Sequence, residues 1–303
     1  MSSEVSKHYN TSLKENNAQV STLWWYVLGV MGAFTVLAWI SVFSLSPNYE
    51  LHVTFFDVGQ GDSIFIETYR GNQILIDGGP DATVLSKLGR ELPFYDRTID
   101  LMVLTHPHAD HVSGLLEVLK RYRVGRVLIT NVSHDTNVYK QFLDEIKKQN
   151  ISITLAQAGQ QIWLDDATVL SVLLPQEFLS GKTVKDVNES SVVTRLSFGS
   201  IDFILTGDAG IINEREMIAG GYTIDSEVLK VGHQGSRTST DPGFLQAVSP
   251  DYAVISVGED NRYGHPHQEV VDRLEASNLE LLRTDKDGDV KFTSDGTILT
   301  RDK

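Results

Sequence analysis

The sequence predicts an α/β chain, an αββα sandwich preceded by one N-terminal transmembrane helix. Three observations predict it. A charge-free apolar run fills residues 23–45, short β-rich runs begin at Leu51, and strand and helix patterns alternate after Leu101.

The apolar run is LWWYVLGVMGAFTVLAWISVFSL. Crossing a bilayer takes roughly 20 apolar residues, so the run suffices. Trp24, Trp25 and Tyr26 cluster at one end, where amphipathic rings sit at headgroup level. A buried core helix is the weaker reading, because it would be unusually long and apolar on every face. A cleaved signal peptide is also weaker. Ser44 and Ser46 are small enough for cleavage, but Pro47 follows and the run exceeds a usual signal core. Lys7 and Lys14 precede the run, and no Lys or Arg follows until Arg70. The positive-inside rule then makes residues 1–22 a disordered cytoplasmic tail. Residues 51–303 form an extracytoplasmic domain of a single-pass cell-membrane protein.

Composition narrows the chemistry. The 303 residues are 41% hydrophobic and 22% charged, which suits a globular core. There is no cysteine, so disulfides, thiolate metal ligands and a cysteine nucleophile are excluded. The formal net charge of -14 repels nucleic acid at long range. Work on DNA or RNA therefore needs local basic residues or bound cations.

The elements follow in order. LHVTFFDV, DSIFIET and NQILIDGG form an antiparallel meander with glycine-containing turns. Leu101–Thr105 is a buried strand, Val112–Tyr122 an amphipathic helix, Val124–Thr130 a strand and Tyr139–Lys148 a helix. Ala167–Leu174, Ser191–Phe198 and Ile201–Thr206 make a second β block, and Asp289–Thr300 ends the chain in strands.

LTHPHADHVSGL carries the densest chemistry. His106 and His108 lie two apart in an extended segment, so both rings point the same way and can face one ion. Asp110 and His111 fall where a helix begins and can face a second. Imidazole and carboxylate donors suit Zn, Mn or Fe rather than a calcium cage. Asp77 in ILIDGG, Asp208 in ILTGDAG, His233 in VLKVGHQGS and His265 in NRYGHPH stand at strand ends or in loops. Each is weak alone: Asp77 equally suits a helix cap, and Asp208 a turn. Their coincidence with the histidine cluster is the stronger signal. No GxSxG elbow is present.

FFDVGQGDSIFIE, ILIDGGP, LTHPHADHVSGL, NESSVVTRL, ILTGDAG, LKVGHQGS and NRYGHPH carry a resemblance of residues 51–300 to the metallo-β-lactamase superfamily. Within it, they stand in the order of the ComEC family of DNA-uptake competence proteins, whose C-terminal extracytoplasmic domain residues 51–300 resemble. The resemblance implies a metallo-β-lactamase αββα sandwich holding two divalent metal ions, Zn or Mn. It puts His106 and His108 on the first ion, Asp110 and His111 on the second, Asp208 between them, and His265 on the second as the late histidine. His233 either ligates or contacts a substrate phosphate beside Ser236. Asp77 orients a histidine or the reacting water.

Two departures from the superfamily pattern matter. The further histidine that often completes the first metal is replaced by NESSVV, with Asn188 and Ser190. ComEC-like domains share this Asn/Ser character, and the extra oxygen donors suit Mn better than zinc. His134, the nearest upstream histidine, reads as an incidental loop residue. Gln234 stands where the family often has a second histidine, and glutamine donates a hydrogen bond without transferring a proton. His267 reads as a surface residue at a helix start. Arg237, Thr238 and Ser239 form either a polar turn or a rim that contacts phosphate.

The expected activity is metal-dependent hydrolysis of a phosphodiester, with DNA as substrate in a competence-related setting and with Asp110 and His233 as the catalytic pair. Two other functions fit the same residues: hydrolysis of a small ester, lactone or phosphodiester, and a non-catalytic metal-retaining module that binds DNA or a partner. Full ComEC proteins carry a multi-helix channel. One helix cannot form it, so a separate DNA-uptake channel is the expected partner.

Overall fold

Two sheets stack with helices on their outer faces. The computed structural model describes residues 24–39, 49–259 and 261–302. The first sheet opens with an antiparallel meander of β1 (Leu51–Phe55), β2 (Ile64–Glu67) and β3 (Gln73–Ile76). It continues in parallel through β4 (Thr98–Val103), β5 (Arg123–Ile129) and β6 (Ser152–Leu155). The second sheet runs from β7 (Gln161–Trp163) through β8 (Thr168–Leu174), β9 (Val193–Phe198), β10 (Ile201–Leu205), β11 (Val228–Lys230) and β12 (Tyr252–Ile255) to β13 (Glu280–Arg283). The chain then returns to the first sheet, where β14 (Val290–Ser294) pairs with β1 and β15 (Leu299–Asp302) forms the edge. The expected αββα sandwich is present.

Alternation along the strands builds the core. Leu51, Val53 and Phe55 of β1 face Ile201, Phe203 and Leu205 of β10 in one buried cluster between the sheets. Outward residues of the first sheet, Leu75 and Met102 among them, pack under α2 (Thr83–Glu91), α3 (Ala109–Leu119) and α4 (Asn137–Lys148). Ile204 and Ile255 of the second sheet pack under α5 (Ile211–Ala219), α6 (Pro242–Val248) and α7 (Gln268–Glu275). Strands buried on both faces explain the near-continuous apolar runs ILI, LMVL and VISV.

The chain divides into two units, residues 1–48 and 49–303. In the first, residues 24–39 form α1. Among the described residues no helix is long and apolar enough to cross a membrane. The expected transmembrane helix over 23–45 is therefore not seen among them, because α1 as described falls short of the roughly 20 residues a span needs. The tail at 1–22 and the end of the apolar run, 40–45, lie outside the described residues.

Helix α3 begins at Ala109, three residues before the predicted start, with His108 at its N-cap position. The cluster HPHADH thus straddles the strand-to-helix turn. That turn is seated by glycine. At Gly61, φ is 72° and a Cβ would stand 1.8 Å from the Asp110 carbonyl oxygen. No other residue lets the DVGQGD loop lie against the start of α3.

Candidate metal centre

The parallel strands β3 and β4 in one sheet, and β10, β11 and β12 in the other, all end toward the same edge. Asp77 follows β3, His106 follows β4, Asp208 follows β10, His233 follows β11, and His265 lies in the loop after β12. Strand β9 runs antiparallel to β10, so the NESS segment before it reaches that edge too. The two sheets are tied there by Val192 N–H donating to the Thr105 carbonyl at 3.0 Å.

Asp208 sits at the focus. Its Oδ2 lies 3.4 Å from His111 Nε2, 3.8 Å from His106 Nε2 and 3.8 Å from His233 Nε2. Donor atoms of His106, His111 and Asp208 fall within 4.8 Å of one another, and all three residues are buried. His106 Nε2 also lies 3.0 Å from His108 Nδ1, so the two rings do meet as the extended spacing requires. Asp110 Oδ2 stands 3.8 Å from His111 Nε2.

Asp77 supports this group from behind. Its Oδ1 accepts from the Thr105 N–H at 2.8 Å, its Oδ2 from the Thr105 hydroxyl at 2.6 Å, and Oδ2 meets His111 Nδ1 at 2.8 Å. It caps no helix. It spends its oxygens fixing His111, whose Nε2 then points at Asp208. Burial alone lowers a histidine, but the carboxylates of Asp208, Asp77 and Asp110 outweigh it and hold His111 well above its ordinary value. Burial pushes His106 well below, helped by the neighbouring His111. Burial would raise Asp208, yet His111 and His106 hold it well below the usual carboxylate range. Burial also lowers His265, to about 4, so its ring is neutral at pH 7.

The GHQGS loop reaches the centre through strained backbone. His233 (φ 46°, ψ 48°) and Gln234 (φ 53°, ψ 28°) are consecutive left-handed residues, each costing about 1–3 kcal/mol. The turn aims His233 at Asp208 and lets Gln234 Nε2 donate to Asp110 Oδ2 at 3.1 Å. Gln234 thus orients a carboxylate, which a side chain unable to transfer protons does well.

Two sequence expectations are corrected here. Ser190 turns away and donates to the Val187 carbonyl, whereas Ser191 Oγ lies 3.5 Å from His106 Nδ1 and accepts from the Asp208 N–H. Ser236 is buried and bonds Thr238 Oγ1, so Thr238 is the hydroxyl on the rim beside His233. His134 lies in a loop with its ring 5.7 Å from that of His108. His267 stands at the start of α7 as expected, and its Nδ1 accepts from the Arg237 N–H. Asn188 lines both cavities that flank Asp208.

Sequence reasoning missed the ion pair beneath the site. Asp62 and Lys230, both buried, meet at 2.5 Å, and Lys230 donates to the Gly207 carbonyl beside Asp208. Its signal is a lysine inside the apolar run VLKV.

A divalent cation fits this donor set. His111 Nε2 and Asp208 Oδ1 are buried with no hydrogen-bond partner. Orphaned buried polar atoms are costly unless something satisfies them, and a cation among imidazole nitrogens and carboxylate oxygens does so. The group Asp62, Asp77 and His111 is a poorer site, because Asp77 is committed to Thr105 and Asp62 to Lys230.

The profile of the Metallo-beta-lactamase superfamily matches residues 56–259. The chain belongs to this superfamily. As a metallo-β-lactamase-fold protein it is a metal-dependent hydrolase by family, and its His/Asp clusters are the metal-binding kind. It is 31% identical over 260 residues to the ComE operon protein 3 of Bacillus subtilis, a match covering 80% of this chain and 33% of that protein. The chain thus spans about a third of that relative's length, and the resemblance to the ComEC family holds. It is 24% identical over 197 residues to the endoribonuclease ysh1 of Aspergillus fumigatus, 57% of this chain and 22% of that one. Igni18, a metallo hydrolase from Ignicoccus hospitalis, shares the fold with a TM-score of 0.54 at 16% identity over 80% of this chain and 98% of that one.

Proposed function

We propose that this chain is a binuclear metal-dependent phosphodiesterase that cleaves nucleic acid, DNA in a competence-related setting. The observation that carries the reading is the placement of Asp208 Oδ2 among three imidazoles at 3.4–3.8 Å. A carboxylate so placed can serve two ions at once. His106 and His108 would hold the first, Asp110, His111 and His265 the second, and His233 either ion or a substrate phosphate. Two bound divalent ions, Zn or Mn, supply an activated water near neutral pH and neutralise charge developing on phosphate oxygens.

The protein's own groups do the rest. Asp77 and Thr105 fix His111, while Gln234 fixes Asp110, which accepts the proton from the attacking water. Arg237 and Thr238, on the rim of the cavity beside Asp208, receive phosphate oxygens. We place the domain outside the cytoplasm, tethered through residues 23–45 and working beside a separate uptake channel. The charge-free run and the lysines before it support that placement. Protease accessibility on intact cells tests it, and digestion seen only after lysis overturns it.

A second reading, hydrolysis of a small ester, lactone or phosphodiester, is favoured by the formal charge of -14. The deciding experiment is metal analysis of the full chain with assays on single-stranded DNA, bis-p-nitrophenyl phosphate and a lactone, in Mn²⁺ or Zn²⁺. Asp208→Ala and His108→Ala lose bound metal and phosphodiester hydrolysis together. Full activity in folded Asp208→Ala protein sinks the assignment, and lactone turnover alone selects the second reading.

A further inference from the structure

Helix α5 is partly inverted. Beside Met217 it buries Asn213 and Glu214, and it exposes Ile212 at 65% and Ile218 at 41%. Apolar residues normally face the core, so the inversion calls for a cause. The buried polar pair supplies half of it. Asn213 Nδ2 donates to the Glu189 carbonyl, and its Oδ1 accepts from the Gly210 N–H. Glu214 accepts from the N–H groups of Thr240 and Asp241 at 2.6 and 2.7 Å. The helix is thereby pinned between the NESS segment and the loop that carries Arg237 and Thr238. The Ile211–Ile212 ridge is held rigidly at the surface.

That ridge walls a cavity of about 370 Å³ that opens directly on Asp208. A second cavity of about 270 Å³, with walls including His108, Gln234 and Tyr263, meets it there, and Asn188, Asp208 and His233 line both. The metal centre thus lies between two compartments. The larger has a graded wall: Arg237 and Thr238 on the side of the centre's loop, isoleucines along the helix, and the carboxylates of Asp186 and Glu189 elsewhere on its lining. The helix terminus is not an anion site, because the Ile211 N–H is spent on the Thr238 carbonyl.

We propose that this cavity binds the nucleoside on one side of the scissile phosphodiester, its base laid on Ile211 and Ile212. The inference rests on the phosphodiesterase reading and assigns its substrate. Arg237 and Thr238 hold the phosphate end, the isoleucines cover the flat apolar face of the base, and Asp186 and Glu189 accept from base N–H groups, the imide N–H of thymine among them. An acyl chain would use the isoleucines but leave the arginine and both carboxylates without a role. The compartment holds one base with its sugar, so the strand enters single and unstacked.

The test compares two esters that differ only in the nucleoside: thymidine 5′-(p-nitrophenyl) phosphate and methyl p-nitrophenyl phosphate, with the full metal-loaded chain. The nucleoside ester has the higher kcat/KM by about tenfold, the size of one base contact, and the gain is in KM. In Ile212→Ser that ratio falls toward one, whereas Ile218→Ser, on the same helix away from the cavity, keeps it. Ile212 is exposed, so the substitution leaves folding intact, as a thermal melt checks. Turnover of both esters with a wild-type ratio near one, or an Ile212→Ser ratio unchanged from wild type, overturns the subsite and leaves the phosphodiesterase reading standing. Turnover of neither ester overturns that reading itself.

Discussion

Asp77 does its work through another residue. It is buried, makes contacts to Thr105 and His111, and points no atom at Asp208. Replacing it with Asn keeps the volume but puts an amide where two acceptor contacts meet, and His111 loses the carboxylate that fixes its ring. Asp77→Asn should weaken metal binding by roughly 10–100-fold, the usual cost of removing such a partner. Competition against a chelator measures it. Unchanged affinity would show that His111 is held by packing alone. The sequence displayed the donors legibly because HxHxDH concentrates them in six positions. It could not show Ser191 in place of Ser190, because that choice depends on a one-residue difference in where β9 begins. Nor could it show what Gln234 bonds, since its partner Asp110 lies 124 positions away.

At the scale of elements, α5 couples its own seating to pH. Burial raises Glu214 from 4.5 to about 7, although two backbone N–H groups oppose the rise. The sign follows from linkage. A carboxyl raised in the folded state binds its proton more tightly there than when unfolded, so its contribution is fully present below about 4.5 and lost as pH climbs through about 7. Wild-type stability should fall relative to Glu214→Gln between pH 5 and 8, by up to about 3 kcal/mol. Urea melts across that window check it, and parallel curves for the two proteins would refute it. Elements of strict period were legible: the β1–β2–β3 meander, β4, β5, α4 and the strand block from β8 to β10 lie where alternation and apolar runs put them. Helix α5 was not, because its buried side mixes Asn213 and Glu214 with Met217, and α3 began early because histidines at its start carry no helical period.

The whole molecule sets a field that opposes its proposed substrate. Residues 1–48 carry two lysines and two glutamates, so the full formal charge of -14 falls on residues 49–303. A polyanionic strand approaching that surface is repelled over about a Debye length, roughly 10 Å at 0.1 M salt. Most nucleic-acid binders are basic and lose affinity as salt rises, because cation contacts release counterions. Here the balance is reversed. On the proposed reading, attraction acts locally, at the metal centre and Arg237, while the net negative charge repels at longer range and is the part that salt screens most. Raising NaCl from 20 to 150 mM at fixed free metal should therefore increase kcat/KM for a single-stranded oligonucleotide, by roughly severalfold through KM. A singly charged ester such as methyl p-nitrophenyl phosphate should respond less, since repulsion scales with substrate charge. A steep fall for the oligonucleotide would mean that a basic face governs binding. It would also move the case for nucleic acid from the metal centre to that face.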